Sequence, residues 1–261
     1  MQNINTWPED LKHGRWILKS NWNELSAFET DRKKNTPRPP LQKAPSADTV
    51  LALPEIDSVR KGVGNTISLN EAIHARRSRR KFSNEALSLD ELSYLLWASQ
   101  GVRKKTDKIT LRTVPSGGAR HPLETYIFVQ RVDGLKPGLY HYLPLDHSIE
   151  LIKPAESFAE GSEKLLDEAL LAHNFGAAAS FIWTAVPYRS ERAYAFEAYR
   201  LILLDAGHVC QNLYLACEAI GAGTCAVGAF DQVKSDHLLG VDGQEEFVVY
   251  AAPVGKPKME V

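Results

Sequence analysis

The chain has 261 residues, of which 44% are hydrophobic and 24% charged, and its 31 basic and 32 acidic residues leave a net charge of −1. These values are ordinary for one large globular domain and argue against wholesale disorder. Because the charge is balanced, no overall field attracts nucleic acid or an anionic membrane, and any basic site must be local.

Residues 1–60 are predicted to form an extension ahead of a main domain at 61–261. Apolar residues between Trp7 and Phe28 recur at roughly helical intervals, which predicts one or two short amphipathic helices. The connector that follows can be neither helix nor central strand, because it contains Pro37, Pro39, Pro40 and Pro45. We expect the extension to pack on the main domain or on a partner.

The main domain alternates helical and strand-like patterns. Capping boxes at Ser68–Glu71 and Ser88–Glu91 predict helices over 68–77 and 88–101. Further along the chain, helices are predicted at 163–173, 201–220 and 231–239, and strands at 125–132, 138–142, 178–186 and 247–254. This interleaving indicates an α/β or α+β protein whose sheet is covered by helices.

A cytoplasmic protein is expected from what the sequence lacks. Charged residues stand at 9, 10 and 12, where a signal peptide needs an apolar run, and the most apolar stretch, 177–186, is too short to span a bilayer. The three cysteines, Cys210, Cys217 and Cys225, do not have zinc-site spacing and are interpreted as small buried residues. We therefore predict no metal site, no membrane partner and no nucleic-acid partner.

The first candidate functional segment is the run Arg76–Lys81, which has five cations in six residues. Guanidinium groups bind phosphate through two parallel hydrogen bonds, and a further cation could lie beside an electron-accepting ring. The alternatives are a solvated basic loop, a nucleic-acid patch or a localisation signal. The run follows a predicted helix in an otherwise neutral protein, so an anion site stays open beside these alternatives.

Two glycine-containing loops are the other candidates. In 113–122, adjacent glycines would let the backbone approach a flat ligand, and in 221–231 small residues would expose backbone amides. Either loop could equally be ordinary close-packed structure. His208, Gln211 and Asn212 lie on the helix before the second loop; Gln211 and Asn212 could be functional or could form helix–helix or interface hydrogen bonds. No dinucleotide fingerprint, P-loop, serine-hydrolase elbow or zinc motif is present.

Taken in order, five segments of the chain resemble the nitroreductase family of flavoproteins and, within it, the SagB-type dehydrogenases that form thiazoles and oxazoles in modified peptides. The resemblance begins near residue 65 and is carried by ARRSRRKFSNEALSLDELSYLLWASQG, TVPSGGARHPLETYIFV, GLYHYLP, AYRLILLDAGHVCQNLYLACEAIGAGTCAVGAF and YAAPVGKP. It implies an α+β fold with a central, mostly antiparallel sheet covered by helices, and a homodimer whose two FMN sites lie at the subunit interface.

The resemblance also implies which residues hold the phosphate side of FMN. Arg76, Arg77 and Ser78 match the family positions that bind the phosphate and ribityl chain. Arg80 matches a cation near the N1 and O2 edge of the flavin, where reduction deposits negative charge. Lys256 stands where the family often places another cation on the phosphate side.

The flavin ring would be held by a second set of residues. Gly228 and Ala229 match the backbone near flavin N5, the atom that exchanges hydride. The partner subunit would contribute the loop that matches Pro115, Ser116, Gly117 and Gly118.

One departure from the SagB-type pattern concerns the catalytic pair. Azoline-oxidising members carry a Lys-Tyr pair, and here the corresponding residues are Ala193 and Tyr194. Tyr194 is kept as a candidate catalytic residue, whereas the lysine base is missing. The neighbouring arginines stay protonated near neutral pH and are poor general bases.

The resemblance therefore leads us to expect an FMN-dependent oxidoreductase that transfers hydride through flavin N5, with NAD(P)H as a transient donor and a small organic molecule as acceptor. A SagB-type dehydrogenase acting on a peptide is the first alternative. A flavin-less interaction module of such a complex is the second. A nucleic-acid binder that uses residues 76–81 is the last, because the net charge is −1.

Overall fold

A computed structural model of the chain describes residues 7–47, 49–63 and 67–258. Its main sheet has seven strands in the order β1-β6-β5-β4-β7-β9-β8, and every neighbouring pair is antiparallel. A separate two-stranded hairpin joins β2 and β3. The strands are β1 Val50–Ala52, β2 Val102–Lys105, β3 Thr110–Arg112, β4 Leu123–Val129, β5 Gly138–Leu143, β6 Ser148–Pro154, β7 Ala179–Ala185, β8 Gly223–Thr224 and β9 Phe247–Gly255.

Helices cover both faces of this sheet. Those in the described ranges are α1 Trp7–Leu18, α2 Trp22–Ala27, α3 Ile56–Gly62, α4 Leu69–Ala75, α5 Leu89–Gln100, α6 Ser162–Ala169, α7 Tyr188–Tyr194, α8 Ala198–Ala219 and α9 Gln232–Leu239. The capping boxes expected at Ser68 and Ser88 are both formed. The α+β class with a mostly antiparallel sheet is confirmed.

The two faces of the sheet carry two separate cores. Every residue of β4 and β7 is buried, and successive residues of a strand point to opposite faces. Ile127 and Trp183 face the cluster formed with α5 and α8, whereas Phe128 and Ile182 face the smaller cluster formed with α6 and α9. Helix α8 thus packs on the sheet through one buried side, and its other side is exposed.

Several predicted boundaries are wrong. The helix expected at 163–173 ends at Ala169, because Leu171 and Ala172 take positive φ values of 50° and 61° that break the helical path. The long helix begins at Ala198 rather than 201. Five strands and two helices were not predicted; they are β1, β2, β3, β6 and β8, and α3 and α7.

The described part of the N-terminal extension contacts the main domain at several points. Arg32 donates a backbone hydrogen bond to the Arg192 carbonyl at 2.7 Å, and the Asn21 amide donates to the Glu197 carboxylate at 2.7 Å. Strand β1 pairs with β6 and so extends the main sheet. The division at residue 60 stays a prediction. Across the described ranges, no helix has the length and apolarity that crossing a membrane requires.

Candidate functional site

The basic run lies against the short edge strand β8. Helix α4 ends at Ala75, and Ser78 then forms an isolated parallel bridge with Thr224, while the Arg79 amide donates to the Thr224 carbonyl at 2.9 Å. A Cβ at Gly223 would lie 2.6 Å from the Arg79 side chain. Glycine at 223 therefore allows that side chain to cross the strand.

The Tyr214 hydroxyl connects the basic run to the loop after β8. It lies 2.9 Å from the Ser78 hydroxyl and accepts a hydrogen bond of 2.8 Å from the Ala226 amide. The Arg76 guanidinium lies over the Tyr214 ring, 5.2 Å from its centre. Tyr214 was missed by sequence reasoning, since a tyrosine on an apolar helix gives no signal beyond core packing.

Three arginines of the run are free of acidic partners. Within the described ranges, Arg76, Arg77 and Arg80 form no ion pair, whereas Arg79 lies 3.8 Å from the Glu218 carboxylate. Arg77, Ser78 and Arg80 are exposed. Guanidinium groups that lack a carboxylate, next to a hydroxyl, suit a phosphate, so the residues present fit the phosphate side of FMN.

Lys256 is committed elsewhere in the chain. Its ammonium donates to the Glu91 carboxylate at 2.5 Å and to the Ile220 carbonyl at 2.9 Å, and the side chain is 14% exposed. Through these two contacts Lys256 joins α5 to the residue that follows α8. Its expected role beside the FMN phosphate stays a prediction, and that role would require the lysine to exchange or share Glu91.

Gly228 and Ala229 present exposed backbone to solvent. Val227 forms two backbone hydrogen bonds with Ala251, at 2.7 and 3.1 Å, which fixes the loop on β9. The next two residues are exposed, and neither amide donates a hydrogen bond within the described ranges. Free amides two and three residues beyond Ala226, whose own amide binds the Tyr214 hydroxyl, can serve as donors to a ligand.

A second cluster forms around the loop 115–118. Gly118 has φ of +59°, and a Cβ there would lie 1.9 Å from the Tyr194 hydroxyl. The Gly117 amide donates to the Asp205 carboxylate at 3.1 Å, and the Ser116 hydroxyl accepts from the His121 amide at 2.8 Å. Pro115 is exposed at the start of the loop.

Asp205 holds this loop on α8. Burial raises the pKa of its carboxyl, although hydrogen bonds from Ser116 and from the Gly117 amide favour the ionised form. Sequence reasoning missed Asp205, because an aspartate within a long helical pattern is most often a solvated residue.

Tyr194 closes the same cluster from the end of α7. Trp22 of the extension packs edge-on against its ring at 5.5 Å, and the Arg120 guanidinium lies 5.8 Å from the ring centre. The next residue, Ala195, has φ of +42°, so the chain turns sharply before α8. Tyr194 thus packs between the glycine loop and the N-terminal extension.

The cluster at the basic run and the cluster at the loop 115–118 contact α8 at different positions along its axis. Asp205 and Tyr214 are nine residues apart on α8, which separates them by about 13 Å along the helix axis. Within one chain the structure therefore brings Arg76 and Ser78 close to the 226–229 loop. It places the loop 115–118 with Tyr194, away from them.

The structure shows which of the roles considered for the polar residues of α8 is taken by Asn212. The Asn212 side chain donates to the Ala98 carbonyl of α5 at 2.9 Å, which is the helix–helix role. His208 and Gln211 are exposed. No group of histidine, cysteine and carboxylate side chains within the described ranges could hold a metal ion.

The chain is similar to a known protein family and to several known proteins. Residues 73–256 match the model of a protein family described as the nitroreductase family. A protein of Methanocaldococcus jannaschii that bears the name nitroreductase is 34% identical over 206 residues, which covers 79% of this chain and 96% of that protein. A solved nitroreductase structure from Ralstonia eutropha has a TM-score of 0.65 at 21% identity and covers 86% of this chain and 100% of the other.

A third similar protein bears a more specific name. It is the trifolitoxin-processing protein TfxB of Rhizobium leguminosarum bv. trifolii, 35% identical over 151 residues. The match covers 52% of this chain but only 38% of TfxB. This similarity agrees with the SagB-type resemblance of the sequence, and most of TfxB has no counterpart in the match.

Proposed function

The chain belongs to the nitroreductase family, and from this premise we propose that it is an FMN-dependent oxidoreductase that transfers hydride from NAD(P)H to a small organic acceptor. The observation that carries the proposal is the set of three arginines without acidic partners, joined through Ser78 and Tyr214 to a loop of free amides. A phosphate-bearing cofactor with a polar ring edge suits that set.

The proposed roles follow from these contacts. Arg76, Arg77 and Ser78 would bind the phosphate and ribityl chain, and Arg80 would lie beside the ring edge that becomes negative on reduction. The exposed backbone of Gly228 and Ala229 would face the reactive side of the ring. FMN, when bound, supplies the acceptance and release of hydride; the protein binds and orients it and sets its surroundings.

The proposal includes a homodimer. One chain keeps its glycine loop 115–118 about 13 Å along α8 from its own basic run. A site that uses both groups therefore needs the loop from a second copy. The exposed apolar residues Leu203 and Leu204 on α8 offer a surface for that copy.

The test is the visible absorption spectrum of the purified protein during anaerobic titration with NADPH. We expect flavin bands that bleach as the donor is added and return when a nitroaromatic or quinone is supplied. An Arg77→Gln variant should retain less FMN, whereas Lys104→Gln, an exposed lysine of β2, should retain the wild-type amount. A protein that stays colourless after FMN is added would overturn the proposal.

A second candidate is a dehydrogenase that oxidises azolines in a modified peptide, and the similarity to TfxB favours it. Ala193 stands against it, because a buried alanine replaces the lysine of the azoline-oxidising members. A flavin spectrum that NADPH leaves unchanged but an azoline peptide bleaches would select this second candidate. A flavin-less module would reject FMN and still bind a partner.

A further inference from the structure

A narrow cationic pocket lies beside Tyr194 and outside the proposed FMN-phosphate residues. Its volume is about 20 Å³, which is the room that one or two water-sized groups need. The Pro39–Leu41 connector and Ala119 form part of its wall. No carboxylate lines it, and its charged lining residues are Arg38, Lys108, Arg120, Arg189 and Arg192.

Two of these cations, Arg189 and Arg192, are buried, and only Arg189 has an acidic partner within the described ranges. Arg192 is 7% exposed, and among the described residues its guanidinium donates only to the carbonyl oxygens of Thr36 and Pro37, so no negative group there balances its charge. Arg189 is 5% exposed and binds the Glu124 carboxylate, which balances one of the cations. A buried guanidinium without an anionic partner is costly, and a bound anion would offset that cost.

Donor atoms also remain unused at the pocket. The Nε atoms of Arg120 and Arg189 are buried and form no hydrogen bond. Both residues line the pocket. An N–H group that is shielded from water and has no acceptor within the described ranges is the feature that a bound oxyanion would complete.

The surrounding groups keep the pocket positive near neutral pH. Burial and the charges of Arg112 and Arg189 lower the pKa of His121 to about 3, so that imidazole is neutral. Burial lowers the pKa of Arg112 to about 10, which leaves it cationic. Glu124 is shared between Arg189 and His141 and supplies no spare negative charge to the pocket.

The pocket borders the residue at which the sequence departs from azoline-oxidising proteins. Ala193 lines it, Tyr194 follows, and Arg120 contacts both the pocket and the Tyr194 ring. A ligand whose charged end entered the pocket would thus lie next to the Tyr194 hydroxyl and the Gly118 backbone. The small alanine leaves room that a lysine side chain would occupy.

We propose that this pocket binds an oxyanion, a carboxylate or phosphate group, of the ligand that the enzyme receives beside Tyr194. The acceptor is then an anionic small molecule, or the donor dinucleotide places a phosphate there. The assignment to an enzyme ligand rests on the proposed function, whereas the anion site itself rests only on the pocket residues.

The test measures the binding of benzoate and of inorganic phosphate to the full chain at constant ionic strength, with sodium chloride as the reference salt. We expect saturable binding seen as a shift of the thermal midpoint. Arg120→Gln and Lys108→Gln should each weaken it by about tenfold, since each removes a charged donor. Lys105→Gln, in the same hairpin as Lys108 but outside the pocket, should bind as the wild type does.

Two results would overturn the inference. One is the absence of saturable binding of either probe. The other is binding that survives Arg120→Gln and Lys108→Gln but is lost in Arg77→Gln, which would place the anion at the basic run instead. Unliganded thermal midpoints of the variants close to that of the wild type will show that each variant folds.

The same titration distinguishes the two sources of the oxyanion. Phosphate that competes with NADPH indicates the dinucleotide, and benzoate that binds without competing indicates the acceptor. Because neither measurement needs flavin or turnover, a protein that rejects FMN but binds the probes refutes the proposed function alone. A flavoprotein that binds neither probe refutes this inference alone.

Discussion

At the scale of single residues, the closest approach of the glycine loop to a side chain is between Gly118 and Tyr194. We predict that Gly118→Ala lowers the free energy of unfolding by about 2–4 kcal/mol. The new Cβ would overlap the Tyr194 hydroxyl at 1.9 Å, and the alanine would also have to adopt a positive φ. Chemical denaturation of the two proteins measures the difference.

A matched glycine isolates the effect of the contact. Gly134 has φ of +81° and nothing within 4 Å of its would-be Cβ, so Gly134→Ala carries the backbone strain alone, about 1 kcal/mol. Tyr194→Phe in the Gly118→Ala background should recover part of the loss, since the ring carbon lies farther away, at 3.1 Å. Equal losses in Gly118→Ala and Gly134→Ala would contradict the contact.

The Tyr214 hydroxyl joins two parts of the proposed FMN site, the basic run and the loop after β8. Tyr214→Phe removes its hydrogen bonds to Ser78 and to the Ala226 amide, and we expect FMN to bind about fivefold to tenfold more weakly, as the loss of one such group costs roughly 1 kcal/mol. Quenching of flavin fluorescence measures the affinity. Tyr199→Phe, on the exposed side of the same helix, should leave it unchanged; a weaker affinity in that control too would point to damage to the helix instead.

Individual residues of the site were predictable to different degrees. Arg76, Arg77 and Ser78 could be singled out, because a dense cationic run in a neutral chain is visible without a structure, and the family resemblance then implied their role at the phosphate. Tyr214 and Asp205 were not, since their roles arise from contacts with loops that are far away in sequence. Nor does any local pattern show that Lys256 pairs with Glu91 across 165 positions.

At the scale of elements, the proline-rich connector is held by buried acids of the sheet. The Lys43 amide donates to Glu124, and the Ser46 and Ala47 amides donate to Glu150, each at 2.7 Å. His141 lies between the two carboxylates at 3.0 and 2.8 Å. The sheet thus holds the extension through the carboxylates of Glu124 and Glu150, whose protonation depends on pH.

Burial alone would raise the pKa of Glu124, but Arg189 and His141 outweigh it and lower the pKa to about 2. Burial favours neutral His141, yet its bonds to Glu124 and Glu150 raise its pKa. A lowered carboxyl pKa stabilises the fold above its ordinary value of 4.5, and that stability is lost as the pH falls towards 2. The imidazolium contributes below pH 6.5, and its contribution is lost as the pH rises through the raised pKa.

We therefore predict that the connector loosens as the pH falls below about 4.5, because the pKa values of both Glu124 and Glu150 are lowered below that ordinary value and both carboxylates become protonated there. Hydrogen exchange at the Ser46 and Ala47 amides, corrected for the intrinsic pH dependence of exchange, should show the loss of protection. Glu150→Gln should loosen the same amides already at neutral pH, since it weakens both hydrogen bonds. Glu160→Gln, in an exposed surface ion pair, should not; protection in Glu150→Gln equal to that of the wild type would contradict the argument.

The elements that sequence patterns missed share a physical cause. Helix α7 has a polar sequence, and its arginines Arg189 and Arg192 are buried by partners from the connector and from β4. Strand β2 is almost entirely cationic and exposed at three of its four residues. Such elements are stabilised by tertiary contacts rather than by hydrophobic periodicity, whereas β4, β7 and α8 carry their own apolar signal.

At the scale of the whole molecule, the near-zero net charge conceals a strong separation of charge. Acids concentrate beneath the connector, and unpaired cations concentrate at the basic run and at the pocket beside Tyr194. Neither local excess alters the total of −1. Small anionic ligands can therefore be attracted at two places without a general affinity for polyanions.

The apolar surface of α8 bears on assembly. Leu203 is 54% exposed and Leu204 is 49% exposed, on a helix whose opposite side is buried in the core. We predict that Leu204→Glu converts a dimer to a monomer and, because the loop 115–118 would then be lost from the partner's site, also reduces FMN retention. Light scattering after gel filtration and the ratio of flavin to protein absorbance measure the two effects.

Val233 on α9 provides the matched control, since it is 78% exposed and lies on a different helix. Val233→Glu introduces the same charge and should leave both the mass and the flavin content unchanged. A Leu204→Glu protein that remains dimeric would show that α8 is not the contact between copies. A monomer that keeps its full flavin content would show instead that one chain completes the site alone, despite the 13 Å or so between its two clusters.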